Sequence, residues 1–471
     1  MLDYAIVIDK FYKVVKQVYK IPHWLAFSIV YLIYFIDSYS ELDPDFGWHV
    51  KSGEQILNHG IPSHDIFTYT ASDFPWIGHE WLNDSIVYIL NNFGGYFALS
   101  LVFAGLWTLS MKIATGRASG ILPIIASIST IPFSGVRTLT WTMLGVATLL
   151  WILRDKSKKY LNYTPLLFLV WSNIHGSFVI GFIIILYYAL FSKSKKLLFL
   201  LILSSIASLI NPYGWKVYEE IFRTLTDTTL RSNITEWGFL RPNHIIILYP
   251  IVWLSGYIYF NNKGWRRFVS LPVLLFVLSL NSNRMFPIFV LVSLFDFFEF
   301  SKKFAHDLPK QINKIAKLII SVVGTIFLIV PICIYLNEIK NLKFDRESDY
   351  PSRIASYLNE NPCHGNTFNH YDFGGYLIWK VPIQKVYIDG RMPSWSLNGL
   401  NYMQRYNDVL KNTDIRKNEF YKFNIKCAVL TKNGNLDSKI RKELLAEGWI
   451  MIVSDERAAL LVSEQTTTIK F

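Results

Sequence analysis

The feature that most constrains this chain is a series of long apolar runs separated by short polar segments. A helix needs about 20 predominantly apolar residues to cross a bilayer. The chain is 52% hydrophobic and only 17% charged, against about 25% charged residues in an ordinary soluble domain. The runs predict a mainly α-helical, polytopic transmembrane bundle of about eleven spans. They are 23–36, 86–111, 121–134, 138–153, 163–172, 176–191, 197–210, 244–260, 268–280, 285–299 and 318–336.

The basic residues between these runs predict the topology. Every second loop is rich in Lys and Arg, whereas loop 37–85 holds the single Lys51 against nine carboxylates. Because cytoplasmic loops carry the Lys and Arg excess, we expect 1–22 to be a cytoplasmic segment and 23–336 to be the transmembrane domain. An odd number of spans then places 337–471 outside the cytoplasm. The net charge of +12 is explained as a topology signal and indicates no nucleic-acid partner.

Residues 337–471 are more polar and predict a small extracytoplasmic α/β domain. Cys363 and Cys427 lie in this domain, and Cys333 precedes it. Three cysteines form neither a disulfide framework nor a four-ligand zinc site, and we expect Cys363 and Cys427 to be free thiols. The predicted strands are Lys385–Ile388, Cys427–Leu430, Trp449–Val453 and Ala458–Val462, and the predicted helices are Ser352–Asn359 and Leu436–Glu447.

The external loop 37–85 contains the strongest candidates for chemistry, Asp43 and Asp45 on either side of Pro44. One interpretation is a helix start, with Asp as the cap and Pro at the first helical position. The other is a carboxylate pair that acts as a general base or binds a divalent cation such as Mg²⁺ or Mn²⁺. The two interpretations are compatible, because a capped helix holds an acid firmly.

The same loop contains four of the ten histidines of the chain. We consider His49, His79 and Glu80 as substrate-binding candidates, with the histidines as ligands or proton carriers. The alternative is that each histidine only bonds a neighbouring carboxylate. The tryptophans of the loop are expected to lie at the membrane interface as an aromatic belt; these are Trp48, Trp76 and Trp81.

Basic groups also occur at the outer ends of the predicted spans. They are Arg137, His175, Arg284 and, in a second external loop 211–243, Arg241. Charges at the membrane edge are a functional hypothesis by default, and Arg binds phosphate with a bidentate fork. The alternative is that each side chain reaches out to lipid phosphate. An acidic loop with outer arginines is what a lipid-phosphate substrate would need.

In this order, the motifs of the chain are similar to those of a known superfamily. The chain resembles bacterial polytopic membrane proteins of the C-type (GT-C) glycosyltransferase superfamily, with protein O-mannosyltransferases and oligosaccharyltransferases as distant relatives. The motifs that carry the resemblance are Asp43-Pro44-Asp45, Trp48-His49, Gly60-Ile61-Pro62, His79-Glu80-Trp81, Gly94-Gly95, Asn173-Ile174-His175-Gly176, Asn211-Pro212-Tyr213-Gly214, Arg284 before Pro287, Tyr371-Asp372-Phe373-Gly374-Gly375-Tyr376 and Asp389-Gly390-Arg391. One departure is Gly47, where related proteins tend to carry Trp.

The resemblance implies a GT-C fold and a catalytic base in the first external loop, so that this role falls to Asp43 or Asp45. It also implies a sugar donor carried on a polyprenyl phosphate. Tyr371 and Asp372 are faintly similar to the acceptor-reading motif of oligosaccharyltransferases, although a strand-turn-helix with Gly375 at a tight position is an alternative. Asp389 and Arg391 are further acceptor-side candidates, or a simple turn after a strand.

The expected function is transfer of a sugar from a polyprenyl-phosphate-linked donor to an extracytoplasmic acceptor at the bacterial cytoplasmic (inner) membrane. Membrane lipids and the donor are the expected partners, and no cofactor beyond a divalent cation is expected. One alternative is a transporter or flippase of lipid-linked glycans, although transporters usually show related halves and none is visible here. The other alternative is a non-catalytic membrane scaffold, which leaves the acidic loop and the outer arginines without a role.

Overall fold

The computed structural model describes residues 21–116, 122–155, 157–240, 249–250, 253–254, 257, 268–295 and 346–463. The chain forms two compact units. The helical unit comprises the described residues of Met1–Ser40, Ser100–Asn211 and Thr235–Leu342. The mixed unit comprises those of Glu41–Leu99, Pro212–Ile234 and Lys343–Phe471, and it contains both helices and a sheet.

The structure is mainly helical, and the predicted apolar runs that fall within the described residues form helices. The run 244–260 lies largely, and the run 318–336 wholly, outside the described residues. In chain order the first helices are α1 His23–Ser40, α2 Phe46–His59, α3 Trp81–Thr115, α4 Leu122–Thr130, α5 Leu139–Arg154, α6 Thr164–Ile174, α7 Phe178–Ser192, α8 Lys195–Ala207, α9 Lys216–Thr226, α10 Thr228–Asn233, α11 Leu271–Asn281 and α12 Met285–Phe295.

Helix α3 is long and apolar enough to cross a membrane, and it is the one helix of the described residues that meets both criteria. It is broken at Gly94 and Gly95, whose backbone angles are not helical. Glycine permits such a break because Gly95, at φ +63°, adopts a conformation that other residues rarely take. Shorter apolar helices of 10–17 residues include α5, α7, α11 and α12.

Buried aromatic and hydroxyl groups hold the helical unit together. The Tyr34 hydroxyl lies 2.8 Å from Thr130 Oγ1, which joins α1 to α4. Trp107 is fully buried with its ring centroid 5.1 Å from that of Tyr34. Asn173 at the end of α6 donates to the carbonyl of Ile210, 2.9 Å away. The two hydrogen bonds satisfy polar groups that would otherwise be costly to bury.

The mixed unit contains a four-stranded sheet made of β1 Asn366–Asn369, β4 Ile425–Thr431, β6 Ala458–Ser463 and β5 Trp449–Ser454, in this spatial order. Strand β1 is parallel to β4, and the other two pairings are antiparallel. The prediction missed β1, and Lys385–Ile388 forms only an isolated bridge, between Val386 and Thr68. The elements of this part are α13 Ser352–Glu360, β1 Asn366–Asn369, α14 Gly374–Lys380, β2 Ser396–Leu397, β3 Leu400–Asn401, α15 Tyr402–Lys411, α16 Thr413–Lys422, β4 Ile425–Thr431, α17 Asn435–Ala446, β5 Trp449–Ser454 and β6 Ala458–Ser463.

Cys363 and Cys427 form a disulfide bond, so the expectation of free thiols is wrong. The parallel pairing of β1 with β4 aligns Thr367 with Cys427. Because Cys363 lies just before β1, this pairing brings the two cysteines to a Cα–Cα distance of 6.2 Å. The isolated spacing in the sequence gave no sign of this, since β1 was not predicted.

The loop 37–85 packs against the C-terminal part of the mixed unit through backbone contacts. Helix α2 lies so close to α14 that a Cβ on Gly47 would collide with the carbonyl of Gly375. A Cβ on Gly375 would in turn collide with the carbonyl of Pro44. The close approach of the two backbones therefore requires glycine at position 47. Gly375 occupies the tight position that its alternative interpretation predicts.

A buried ion network also joins the loop to the C-terminal part. Arg391 Nη2 lies 2.7 Å from Asp65 Oδ1 and 2.7 Å from Asp389 Oδ2. The guanidinium side chain is only 3% exposed, and both carboxylate side chains are fully buried. Two carboxylates hold the pKa of Arg391 above its usual value despite the opposing effect of burial. The network thus places the Arg391 guanidinium between two buried carboxyl groups.

The expectation that the loop tryptophans form an interfacial belt is wrong for two of the three. Trp48 and Trp76 are 7% and 6% exposed. Both pack around the Arg391 guanidinium, with ring centroids 6.0 and 4.5 Å from its central carbon. Indole rings are attracted to a cation, so a buried arginine in the same unit competes with the membrane interface for these side chains.

The disulfide leads to a direct test. Cys363→Ser should lower the melting temperature, because a native disulfide typically contributes about 2–4 kcal/mol to the free energy of unfolding. Non-reducing peptide mass mapping should recover a Cys363–Cys427 linked pair from the wild-type protein. Cys333→Ser serves as the control and should alter neither result. Alkylation of both thiols in folded, unreduced protein would contradict the assignment.

The ion network leads to a second test. Arg391→Met should destabilise the protein by about 3–5 kcal/mol, because it leaves Asp65 and Asp389 buried without a cation. Arg353→Met removes an exposed arginine from α13 and should change stability by no more than about 0.5 kcal/mol. Thermal melting in detergent measures both variants. Equal melting temperatures for the two would show that the buried charges do not depend on Arg391.

Candidate functional site

The structure places the predicted site residues in two groups. The mixed unit holds Asp43, Asp45, His49, His79, Glu80, Tyr371, Asp372, Asp389 and Arg391. The helical unit holds Arg137, His175 and Arg284. Arg241 lies outside the described residues.

The helix after the acidic motif begins two residues later than predicted by the interpretation with Asp43 as the cap and Pro44 at the first helical position. Helix α2 begins at Phe46, so Asp45 is the N-cap residue and Pro44 precedes the helix. The Asp45 side chain makes no capping bond to the helix. The Asp43 carboxylate instead accepts the backbone N–H of Asp45 at 2.9 Å. Asp43 therefore shapes the turn, and the Asp45 carboxylate is available for other contacts.

The Asp45 carboxylate is held by Trp48 of α2 and by the backbone at Gly390. Trp48 Nε1 donates to Asp45 Oδ1 at 2.9 Å. The loop 389–391 approaches from the other side, where a Cβ on Gly390 would collide with Asp45 Oδ1. A carboxylate fixed by a buried indole on one side and by a glycine backbone on the other is positioned by packing as well as by hydrogen bonding.

His49 lies one turn into α2 and is buried with a carboxylate partner. Its Nδ1 lies 2.6 Å from Asp84 Oδ1, and Asp84 Oδ2 accepts the Ser52 hydroxyl at 2.6 Å. Burial alone would lower the pKa of His49, but the negative charges of Asp84, Glu80 and Asp45 outweigh it and raise the pKa to about 9. His49 is therefore an imidazolium at neutral pH and donates its Nδ1–H to Asp84.

Glu80 lies between the two histidines of the site. Its Oε2 is 3.9 Å from His49 Nε2, and its Oε1 is 3.9 Å from His79 Nε2. His79 also acts on the buried Glu220 of α9, whose pKa is raised by burial although Arg223 and His79 oppose the rise. Both predicted histidines thus have carboxylate neighbours, which is what their alternative interpretation predicts.

A divalent cation at Asp43 and Asp45 stays a prediction for the part of the chain that the structure describes. No group of three or more His, Cys, Asp or Glu side chains there has the arrangement to hold a metal ion. One oxygen of each acid already accepts an N–H, from Asp45 and Trp48 respectively.

The acceptor-side candidates differ in accessibility. Asp389 and Arg391 belong to the buried ion network. Asp372 is 60% exposed at the turn that precedes α14, 3.8 Å from His370 Nδ1. The backbone N–H of Tyr371 in the same turn donates to the Tyr406 hydroxyl at 3.1 Å. Of these four candidates, the turn 371–372 is the one that presents a charged group to solvent.

In the helical unit, Arg137 and Arg284 converge on one carboxylate. Arg137 Nη1 lies 3.3 Å from Glu236 Oε1, and Arg284 donates to Glu236 Oε2 from Nη2 at 2.9 Å and from Nε at 3.0 Å. The Arg284 guanidinium also lies over the Trp237 ring, 4.8 Å from its centroid. Burial alone would raise the pKa of Glu236, but the two guanidiniums outweigh it and hold the pKa below its usual range.

His175 has a different setting from the two arginines. It follows α6 and is buried, with Nδ1 2.9 Å from Thr142 Oγ1 and 2.7 Å from Ser177 Oγ. These hydroxyls fix the orientation of the ring. His175 remains a substrate-binding prediction with its Nδ1 side already engaged.

Sequence reasoning missed three residues that organise these groups. Asp84 fixes His49, Trp48 fixes Asp45, and Glu236 joins Arg137 to Arg284. Trp48 could have been found from its spacing, because a residue three positions after an N-cap lies over the first turn of the helix. Asp84 and Glu236 depend on pairings that are distant in sequence, 35 and 99 residues respectively.

Solved structures with a similar fold include two kinds of glycosyltransferase. Archaeal oligosaccharyltransferase AglB from Archaeoglobus fulgidus, in complex with an inhibitory peptide and a dolichol-phosphate, matches with a TM-score of 0.57 and 11% identity over 87% of this chain and 69% of that chain. The apo form of the Archaeoglobus fulgidus oligosaccharyltransferase matches with a TM-score of 0.55, 11% identity and coverages of 87% and 70%. ArnT from Cupriavidus metallidurans bound to undecaprenyl phosphate matches with a TM-score of 0.53 and 10% identity over 93% and 97%.

No protein-family model matches the chain, and no curated protein matches it. At 10–11% identity the likeness to the solved structures concerns the fold. It extends over most of this chain and nearly all of ArnT. The chain therefore has the fold of the GT-C glycosyltransferases, the superfamily that its sequence motifs resemble.

Proposed function

We propose that this chain is an integral membrane glycosyltransferase that moves a sugar from a polyprenyl-phosphate-linked donor to an extracytoplasmic acceptor. The GT-C fold supports the class of enzyme. The similar structures were solved with dolichol-phosphate and with undecaprenyl phosphate, and one oligosaccharyltransferase was tethered to an acceptor peptide. These ligands support a lipid phosphate as the donor carrier for this chain.

The proposal includes a multi-pass arrangement in the bacterial cytoplasmic membrane, with the N-terminal segment inside and 337–471 outside. The alternation of basic loops supports this orientation. The Cys363–Cys427 disulfide supports it independently, because disulfides persist in oxidising compartments and are rare in the cytosol. The acidic loop would then face the same compartment as the acceptor.

The observation that carries the proposal is the fixed carboxylate of Asp45. A general base must be held within hydrogen-bonding reach of the proton that it takes, and Asp45 is held by Trp48 and by the backbone at Gly390. Asp43 accepts the Asp45 N–H and so sets the turn that presents Asp45. We therefore assign Asp45 as the base and Asp43 as the residue that positions it.

In the reaction, the acceptor nucleophile attacks the anomeric carbon of the sugar, and its proton passes to the Asp45 carboxylate. The bond from the anomeric carbon to the phosphate oxygen breaks, and the electron pair stays on the carrier phosphate. Arg137 and Arg284 would stabilise the charge of this leaving group, since guanidinium–phosphate pairs are strong. His175 and Arg241 are proposed as further donor-binding residues, and Tyr371 and Asp372 as acceptor contacts.

His49 is proposed to support the base through its charge. The imidazolium is attracted to Asp45, and this attraction is one of the causes of its raised pKa. Asp84 keeps the positive ring buried and oriented. A fixed cation of this kind stabilises the carboxylate form of its neighbour in a site with low dielectric, which is the form that accepts a proton.

The base assignment is tested with purified, folded protein. Asp45→Asn should bind the donor normally but lose about 10²–10⁴-fold in turnover, the usual contribution of a general base. Asp73→Asn changes an exposed acid of the same loop and should retain turnover. Arg284→Ala should instead weaken donor binding roughly ten- to hundredfold, because it removes a charge-assisted contact to phosphate. Near-normal turnover of both Asp43→Asn and Asp45→Asn would overturn the mechanism.

The charge of His49 predicts a pH dependence. The folded pKa of about 9 lies above the ordinary value of 6.5, so the stabilisation is fully present below pH 6.5 and is lost as pH rises through 9. By linkage the loss is on the order of 3 kcal/mol, and turnover should decline over the same range. His49→Gln should remove this dependence in melting experiments, whereas His59→Gln, at an exposed position, should keep it. Identical profiles for the wild type and His49→Gln would exclude a buried imidazolium.

A further inference from the structure

Glu236 contacts both Arg137 and Arg284, the arginines proposed to bind the donor, but has no role in the proposed function. Its side chain is 39% exposed, and those of Arg137 and Arg284 are 21% and 35% exposed. The three charged ends are thus accessible from solvent at one place in the helical unit. An anion that approaches the two guanidiniums there meets the Glu236 carboxylate as well.

The backbone around Glu236 fixes the position of its carboxylate. The Arg284 N–H donates to the carbonyl of Glu236 at 3.2 Å, and the Asn283 N–H donates to that of Gly238 at 3.0 Å. The Asn283 side chain donates to the carbonyl of Thr235 at 3.0 Å. Three hydrogen bonds therefore join the segment 235–238, which carries Glu236, to Asn283 and Arg284. Moving Glu236 away from Arg284 would break these bonds.

We propose that Glu236 is a specificity-determining residue that makes the Arg137–Arg284 site select a singly charged phosphodiester over a diphosphate. With the carboxylate in place, the three side chains carry one net positive charge. A sugar linked through one phosphate is a phosphodiester with one negative charge, which this site neutralises. A sugar linked through a diphosphate brings two negative charges, and the second is left facing Glu236.

Glu236 is ionised at the pH of interest, because the two guanidiniums hold its pKa below the usual range against the effect of burial. The selection therefore operates at neutral pH. Since the group is partly exposed, solvent screening limits the effect to roughly tenfold in relative affinity rather than the larger value of a dry site. The inference rests on the proposed function for the role of the two arginines, but it concerns binding alone.

The test compares two synthetic probes with the same prenyl chain, a prenyl methyl phosphate and a prenyl methyl diphosphate. Their affinities are measured on the full chain in lipid nanodiscs, without any turnover. The wild type should prefer the monophosphate by roughly tenfold, and Glu236→Gln should reduce that preference to about threefold or less by strengthening diphosphate binding. Glu236→Asp keeps the charge and should keep the preference, as should Glu360→Gln, which changes an exposed acid on α13.

Three results would overturn the inference. The first is a wild-type protein without preference, or with preference for the diphosphate. The second is a Glu236→Gln variant that folds and keeps the wild-type ratio. The third is loss of prenyl-probe binding when phosphatidylglycerol is raised in the nanodisc, which would assign the site to ordinary bilayer phosphate. If Glu236→Gln does not fold, the inference is tested by the ratio of monophosphate to diphosphate affinity in the wild type and in Glu236→Asp. Loss of selectivity with intact turnover would reject only this inference, whereas selective binding without turnover would reject the proposed function.

Discussion

The ion network of Asp65, Arg391 and Asp389 is the interaction on which the candidate active site depends. It places a guanidinium between the external loop and the C-terminal part of the mixed unit, where burial makes each charge dependent on the others. The loop 389–391 that carries two of its members also brings Gly390 against Asp45. The position of the proposed base is therefore set by residues more than 300 positions away in the sequence. The loop 37–85 is thereby held by charged groups from a distant part of the chain.

The mixed unit and the helical unit each contain a cluster of charged side chains, and the two clusters differ in the sign of their charges. The mixed unit concentrates carboxylates with one buried imidazolium, which suits proton removal from an acceptor. The helical unit concentrates guanidiniums around Glu236, which suits an anionic leaving group. The local backbone positions the key side chain of each cluster in a different way. Asp45 is presented by a turn that Asp43 shapes, whereas Arg284 is presented by backbone pairing between 235–238 and 283–284.

Much of the fold could be predicted from the sequence, because apolar runs and strand-like alternation are local signals. The runs within the described residues form helices, and β4, β5 and β6 were predicted close to their observed positions. The likeness to solved oligosaccharyltransferase and ArnT structures confirms the fold that the superfamily resemblance implies. The number of spans stays a prediction, since 318–336 and most of 244–260 lie outside the described residues. The helix start at Asp43 was wrong by two residues, because the Asp43 side chain caps a turn instead of the helix.

The remaining differences come from long-range pairing. The disulfide was missed because it depends on β1, a four-residue strand with little alternation. Trp48 and Trp76 were expected at the membrane surface, but a buried guanidinium attracts them. Glu236 has no sequence signal at all, since its partners lie 99 and 48 residues away. Sequence patterns thus identified the residue types of the site, whereas their partners required the structure.

The central claim is that this chain transfers a sugar to an acceptor outside the cytoplasm. Mass analysis of surface glycans and glycoproteins, from cells with and without the gene, tests it most directly. We expect one glycan modification to disappear with the gene and to return with the wild-type copy but not with an Asp45→Asn copy expressed at the same level. An unchanged set of glycans in the deletion strain, or full restoration by Asp45→Asn, would contradict it.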